Sequence, residues 1–193
     1  MKIVGVGCGP GFLTEQAIRV IREASLIYGS DRAIRIIQPH IRPGCRVHTI
    51  DDFKALPSLP EEAVVLSTGD PMLAGLGYLN GEVIPGISSL QVAAARLRIP
   101  LARIIPIVAH GTGHTKGMEQ ALVELDRGNI VFVIADPKFK CSDLYRRAAD
   151  LKIPLRIAVC ENLGYPDERI ITGTIESPPY PSGVLYSLIM GNF

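Results

Sequence analysis

The residues best placed to do chemistry lie in three glycine-rich turns, each after a short apolar run: Gly5-Val6-Gly7-Cys8-Gly9-Pro10-Gly11, Ser67-Thr68-Gly69-Asp70-Pro71 and Pro85-Gly86-Ile87-Ser88-Ser89. Glycine permits backbone angles and close approaches that a Cβ forbids. Three such turns at strand ends therefore predict a pocket lined by main chain that takes a ligand. For the first turn alone, a ligand site and a plain strand-to-helix turn are evenly matched. Its strict GxGxxG frame fails: counted from Gly5 the last position is Pro10, and from Gly7 it is Phe12. Asp31 lies at a tolerable distance for a ribose-binding acid, so a dinucleotide site is weakened but stays open. Asp70, between flexible Gly69 and rigid Pro71, is sharper. A carboxylate there accepts hydrogen bonds from a ligand amine or hydroxyl, although an Asp-Pro turn is also common without any ligand. Ser88 and Ser89 serve equally as helix caps or as ligand contacts.

A fourth segment, His110-Gly111-Thr112-Gly113-His114-Thr115-Lys116-Gly117, concentrates basic side chains and glycines after a strand. Two histidines four apart suit a metal only on a helix with a third ligand; the glycines argue for a solvated loop, so no metal site is expected. Arg103, His110, His114 and Lys116 are the candidates for gripping a carboxylate-bearing substrate. GxSxG and Walker A patterns are missing, which counts against acyl and phosphoryl transfer.

The elements that must carry these turns alternate between strand-like runs and helix-periodic segments, the pattern of an α/β fold with a mostly parallel sheet. Thr14 caps a helix whose Ala17, Ile18, Ile21 and Ala24 share one face. Strands are expected over 26–28, 63–66 and 83–84, then a helix over 90–97 that Pro100 ends. The boundary between two small α/β domains, 1–105 and 106–193, is placed near Pro106. In the second half, strands are expected over 104–108, 130–135 and 156–159. Helices are expected over 118–125, ended by Gly128, and over 141–151. Runs at 170–175 and 184–190, with only a proline cluster between them, suggest antiparallel pairing at the end of the second sheet.

The bulk properties set modest bounds. At 193 residues and 47% hydrophobic, the chain buries a sizeable core without staples. A net charge of +1 gives no reason to expect nucleic acid. Cys8, Cys45, Cys141 and Cys160 are scattered and are read as buried free thiols. No apolar segment is long enough for a bilayer, and a strand-like run starts at Lys2, so the expectation is a cytoplasmic protein without membrane contact.

Taken in order, the turns resemble those of the tetrapyrrole methylases, a family of S-adenosyl-L-methionine-dependent enzymes. The likeness rests on Gly7-Cys8-Gly9-Pro10-Gly11, Leu13-Thr14, Gly69-Asp70-Pro71, the Pro85-Gly86-Ile87-Ser88-Ser89 turn and the alanine-rich stretch to Pro100. Glu161-Asn162-Leu163-Gly164-Tyr165-Pro166-Asp167-Glu168-Arg169-Ile170 with Thr172-Gly173-Thr174 is similar to the corresponding segment of its cobalt-precorrin-7 carbon-5 methyltransferases. So are Gly29-Ser30-Asp31-Arg32 and His110-Gly111. One departure is the single residue, Phe12, between Gly11 and Leu13, where many members carry a longer insert.

The resemblance implies two α/β domains of the class III methyltransferase type with a cofactor cleft between them, usually in a homodimer. By position, Pro10, Gly69, Asp70, Leu73, Ser88 and Ser89 would line the cofactor pocket, joined by Ile134 and Ala135 from the second domain. The co-substrate would be S-adenosyl-L-methionine and the acceptor a cobalt-precorrin tetrapyrrole whose cobalt belongs to the substrate. A separate carbon-15 methyltransferase/decarboxylase partner is implied, because no fused domain is seen. The alternatives are another tetrapyrrole methylase, a diphthine-synthase-like protein methyltransferase, or a non-catalytic dinucleotide-binding module.

Overall fold

A computed structural model describes residues 1–193, the side chain of Thr112 excepted. The chain divides into two compact units, Met1–Ser89 and Leu90–Phe193.

The first unit is a five-stranded, wholly parallel sheet. Its strands are β1 (Lys2–Gly5), β2 (Leu26–Gly29), β3 (Arg46–Thr49), β4 (Val64–Ser67) and β5 (Glu82–Ile84), in the order β3-β2-β4-β1-β5. Ile3, Val4, Ile27, Val65 and Leu66 are buried, as expected for inner strands covered on both faces, and so is Ile84 of the edge strand β5. Helix α1 (Glu15–Glu23) starts where Thr14 Oγ1 accepts a hydrogen bond from Ala17 N at 3.1 Å, and it buries Ala17 and Ile21 against the sheet. Three elements were not anticipated. Helix α2 (Asp31–Ile37) is capped by Ser30, whose Oγ accepts from Ala33 N at 3.3 Å. Strand β3, at the sheet edge, keeps Arg46, His48 and Thr49 exposed and so lacks an apolar signature. Helix α3 (Pro71–Ala74) is a single turn after β4.

The second unit also holds a five-stranded sheet, now mixed. Helix α4 (Ser89–Leu97) is followed by β6 (Ile104–Ala109), α5 (His114–Asp126), β7 (Ile130–Ala135), α6 (Cys141–Ala149), β8 (Arg156–Glu161), β9 (Arg169–Thr174) and β10 (Tyr186–Gly191). The strand order is β6-β7-β10-β8-β9, with β6 and β7 parallel and the other pairs antiparallel. Ile107, Leu125, Val131, Leu144, Ile157 and Leu188 form the centre of its core. The antiparallel tail was anticipated, but β9 and β10 do not pair with each other. The continuously buried β10 lies between β7 and β8, which leaves β9 at the edge.

Helix α4 ends through Arg98, in the left-handed region at φ 58°, with Ile99 N donating to Ala94 O. The Arg96 Nε–Glu168 Oε1 pair at 2.6 Å ties α4 to the loop after β8. The division between the units falls between Ser89 and Leu90, at the first residue of α4, whereas the sequence places a boundary near Pro106.

No disulfide joins the four cysteines; Cys141 and Cys160 are buried, but Cys8 and Cys45 are only half-buried, so the expectation of four buried thiols needs correction. Among the described residues no helix is long and apolar enough to cross a membrane.

Candidate functional site

In the first unit, the parallel register sets Gly5 beside Ser67 and Val4 beside Ile84, so the three glycine turns leave the same edge of the sheet from neighbouring strands. Past the strand ends they interlock. Gly69 N donates to Gly7 O at 2.8 Å and Gly7 N donates to Gly69 O at 3.2 Å, while Cys8 N donates to Ile87 O at 3.0 Å. The fit is closest at Gly86, where an added Cβ would collide with Gly69 O and lie 2.8 Å from Gly5 C. Only glycine allows this approach.

Asp70 clasps two of the turns. Its Oδ1 accepts from Met72 N at 2.8 Å, capping α3, and its Oδ2 accepts from Gly86 N at 3.0 Å. Part of the carboxylate's capacity is therefore spent on the fold, a role the sequence does not disclose. Ser67 is buried, and its Oγ accepts from Leu76 N at 3.4 Å, drawing the chain after α3 back under the turn. Ser88 is buried and Ser89 is the half-buried first residue of α4. Pro10 is exposed and Leu73 half-buried. Gly69, at φ +70°, has Ser88 Cα at 3.9 Å as the one heavy atom near the place a side chain would take. Together Gly69, Asp70 and Ser88 form a main-chain-rich ledge with open space above Gly69. Asp31 is turned elsewhere: its Oδ1 accepts from Thr49 Oγ1 at 3.1 Å, at the end of β3.

In the second unit, Ile134 and Ala135 are the half-buried last residues of β7, beside Val108 and Ala109 of β6. Asp136 follows them and organises the neighbouring loop. Its Oδ2 accepts from Gly111 N at 2.8 Å, and its Oδ1 accepts from Lys138 N at 2.8 Å and meets His114 Nε2 at 2.9 Å. The Gly111 N–H, then His114 and the Lys138 N–H, outweigh desolvation and hold the Asp136 carboxyl at a pKa of about 2. Asp136-Pro137 follows an apolar strand just as Asp70-Pro71 does, and that parallel was a signal available in the sequence.

The 110–117 segment is not simply a loop. A 3₁₀ turn over Gly111–Gly113 leads into α5, which starts at His114 rather than near Met118. Gly117 is tolerated within the helix because an added Cβ would lie 2.6 Å from Ala109 Cβ, so the glycine lets α5 press onto β6. His110 and Lys116 are exposed. His114 lines a groove of about 330 Å³ with Lys138, Lys140, Arg146 and Arg147. Arg103 donates through Nη2 to Asn192 O at 3.1 Å, away from these groups. Among the described residues no cluster of three or more His, Cys, Asp or Glu is placed to hold a metal ion.

Glu161, the buried last residue of β8, was also missed. Although burial opposes its charge, the N–H groups of Gly183 and Ser182, the Ser182 hydroxyl and Arg169 hold its carboxyl below the usual range, fixing the segment that leads into β10.

Comparison with known proteins agrees with this geometry. A probable cobalt-precorrin-7 C(5)-methyltransferase of Methanocaldococcus jannaschii is 30% identical over 183 residues, covering 86% of this chain and 85% of that protein. A diphthine synthase of Pyrobaculum calidifontis is 32% identical, over 70% of this chain and 65% of that protein. The crystal structure of a cobalamin biosynthesis precorrin-6Y methylase from Archaeoglobus fulgidus superposes with a TM-score of 0.76 at 29% identity, covering 99% of this chain and 96% of the other. The family model of the tetrapyrrole (corrin/porphyrin) methylases matches residues 2–179. With its interlocked glycine turns and two α/β units, the chain belongs to the tetrapyrrole methylases.

Proposed function

We propose that the protein is an S-adenosyl-L-methionine-dependent C-methyltransferase that methylates carbon 5 of cobalt-precorrin-7 in cobalamin biosynthesis. The observation that carries this reading is the interlocking of the three turns through Gly7, Gly69 and Gly86, together with the near full-length likeness to a probable cobalt-precorrin-7 C(5)-methyltransferase. The residues present fit the co-substrate. The space above Gly69 is one that any side chain at that position would enter, which leaves room for a ligand against the turn.

S-adenosyl-L-methionine supplies an electrophilic sulfonium methyl when bound. Gly69, Asp70, Leu73 and Ser88, with Pro10 and Ser89 at the margins, bind and orient the ligand. The acceptor carbon of the tetrapyrrole is itself electron-rich, so the protein need supply no covalent nucleophile. Its contribution is orientation and exclusion of water, which reach roughly 7–11 kcal/mol when reacting atoms are held in a near-attack geometry. His110, His114 and Lys116 are assigned to substrate carboxylates, with Arg103 the least favoured because its guanidinium already serves Asn192. The reading carries with it a homodimer in the cytoplasm, no protein-bound metal, and a separate enzyme for carbon 15.

Calorimetric titration with S-adenosyl-L-methionine and, separately, with NAD tests the proposal. Binding of the first alone, followed by a mass gain of one methyl group on cobalt-precorrin-7, is the expected result. Binding of NAD alone overturns it.

A further inference from the structure

Arg32 stands at the same edge of the first sheet as the glycine turns. Strands β2 and β4 are neighbours in register, Ile27 beside Val64 and Tyr28 beside Val65, so the residues that follow them emerge side by side. Arg32, on the first turn of α2, donates through Nη2 to Thr68 Oγ1 at 3.1 Å. Thr68 directly precedes Gly69, the residue that bridges to Gly7. The guanidinium is thus held one residue from the ledge above Gly69.

Its charge has no counterpart there. Among the described residues no carboxylate lies within ion-pair distance of Arg32, although the side chain is half-buried. The two acids that could have served are engaged elsewhere: Asp31 accepts from Thr49, and Asp70 accepts from the Met72 and Gly86 amides. A guanidinium has five N–H donors in a planar fork that matches a carboxylate. Here Thr68 takes up one bond, fixing the plane, and leaves most of the fork without a protein acceptor. Partial desolvation strengthens what such a group gains from an anion. The arginines of the α5–α6 groove are different: Arg147 and Arg146 there already pair with Glu119 and Asp143.

We propose that Arg32, oriented by Thr68, binds a carboxylate of a ligand seated on the glycine turns. The inference rests on the methyltransferase reading for what that ligand is. The carboxylate belongs either to the methionine moiety of the co-substrate or to an acid side chain of the tetrapyrrole, and the two sources share one chemistry.

The test compares wild-type protein with Arg32→Met and Arg32→Lys in calorimetric titrations. The probes are S-adenosylhomocysteine, 5′-methylthioadenosine, which lacks the amino-acid carboxylate, and uroporphyrin I, a stable octacarboxylate. Arg32→Met is expected to weaken one of the two carboxylate probes about tenfold or more, as loss of a charge-assisted hydrogen bond does, with Arg32→Lys intermediate and methylthioadenosine unchanged. A loss confined to S-adenosylhomocysteine assigns the co-substrate carboxylate; a loss confined to uroporphyrin assigns the acceptor. The proposal is overturned if both carboxylate probes bind Arg32→Met as they bind the wild type, or if methylthioadenosine weakens equally. Should wild-type protein bind neither adenosyl compound, the methyltransferase reading fails, and Arg32 is then judged on uroporphyrin alone.

Discussion

Replacing Asp70 with alanine removes two acceptors at once, and the structure separates their contributions. Met72 is exposed, so water takes over its N–H, and the loss there is that of a helix cap, about 0.5–2 kcal/mol. Gly86 is buried, its N–H bonds a carboxylate, and leaving it without an acceptor costs about 1–3 kcal/mol. The sum, about 1.5–5 kcal/mol, corresponds to a fall in Tm of roughly 3–20 °C for a chain of this size. Asp70→Asn keeps an oxygen for Met72 but turns its amide nitrogen toward the Gly86 N–H, so it forfeits only the second contribution and falls between alanine and wild type. Thermal unfolding followed by circular dichroism reads the order wild type, Asn, Ala. A Tm for Asp70→Ala within about 2 °C of wild type would refute the clasp. Unchanged S-adenosyl-L-methionine binding by Asp70→Ala would move the proposed pocket away from this turn.

Gly86→Ala is expected to lose soluble, cooperatively folding protein, because the new methyl meets the main chain of Gly69 and Gly5 rather than a yielding side chain; denaturant titration measures it. Gly117→Ala, usually a favourable change within a helix by about 1 kcal/mol, is expected instead to lower stability, since the methyl would press on Ala109 and Val108 O. Asp136 titrates near pH 2 in the folded state against about 3.9 when unfolded, so the stability it confers is complete above pH 4 and is lost as the pH falls toward 2. Asp136→Asn is expected to flatten the decline in Tm across that window, and an unaltered acid profile would contradict the role given to this carboxylate.

Much of this architecture is readable from residue types, and what escapes has physical reasons. The apolar runs of β1, β4, β7 and β8 are plain because those strands are buried on both faces. The edge strand β3 escapes because Arg46, His48 and Thr49 face solvent and carry no alternation. The 110–117 segment misleads because glycine is normally a helix breaker, whereas Gly117 is there for the sake of Ala109. At the candidate site, each turn is legible by itself. The bond from Gly86 to Asp70 and the contact of Arg32 with Thr68 are not, because they exist only once the sheet order places β4 between β2 and β1.

The position of β10 bears on how the protein is made. The first sheet is complete once residue 84 has been synthesised, so the unit that carries the glycine turns has every strand it needs while the rest of the chain is still emerging. The second sheet is different, because the strand that joins β7 to β8 is the last one in the sequence. Until Tyr186–Gly191 leaves the ribosome, β7 and β8 each present an unpaired apolar border, the kind of surface that recruits other chains. A ribosome paused ahead of that strand would therefore hold a finished first unit beside an unclosed second one, which makes the interval before residue 186 the stage of synthesis at which this protein most needs chaperone cover.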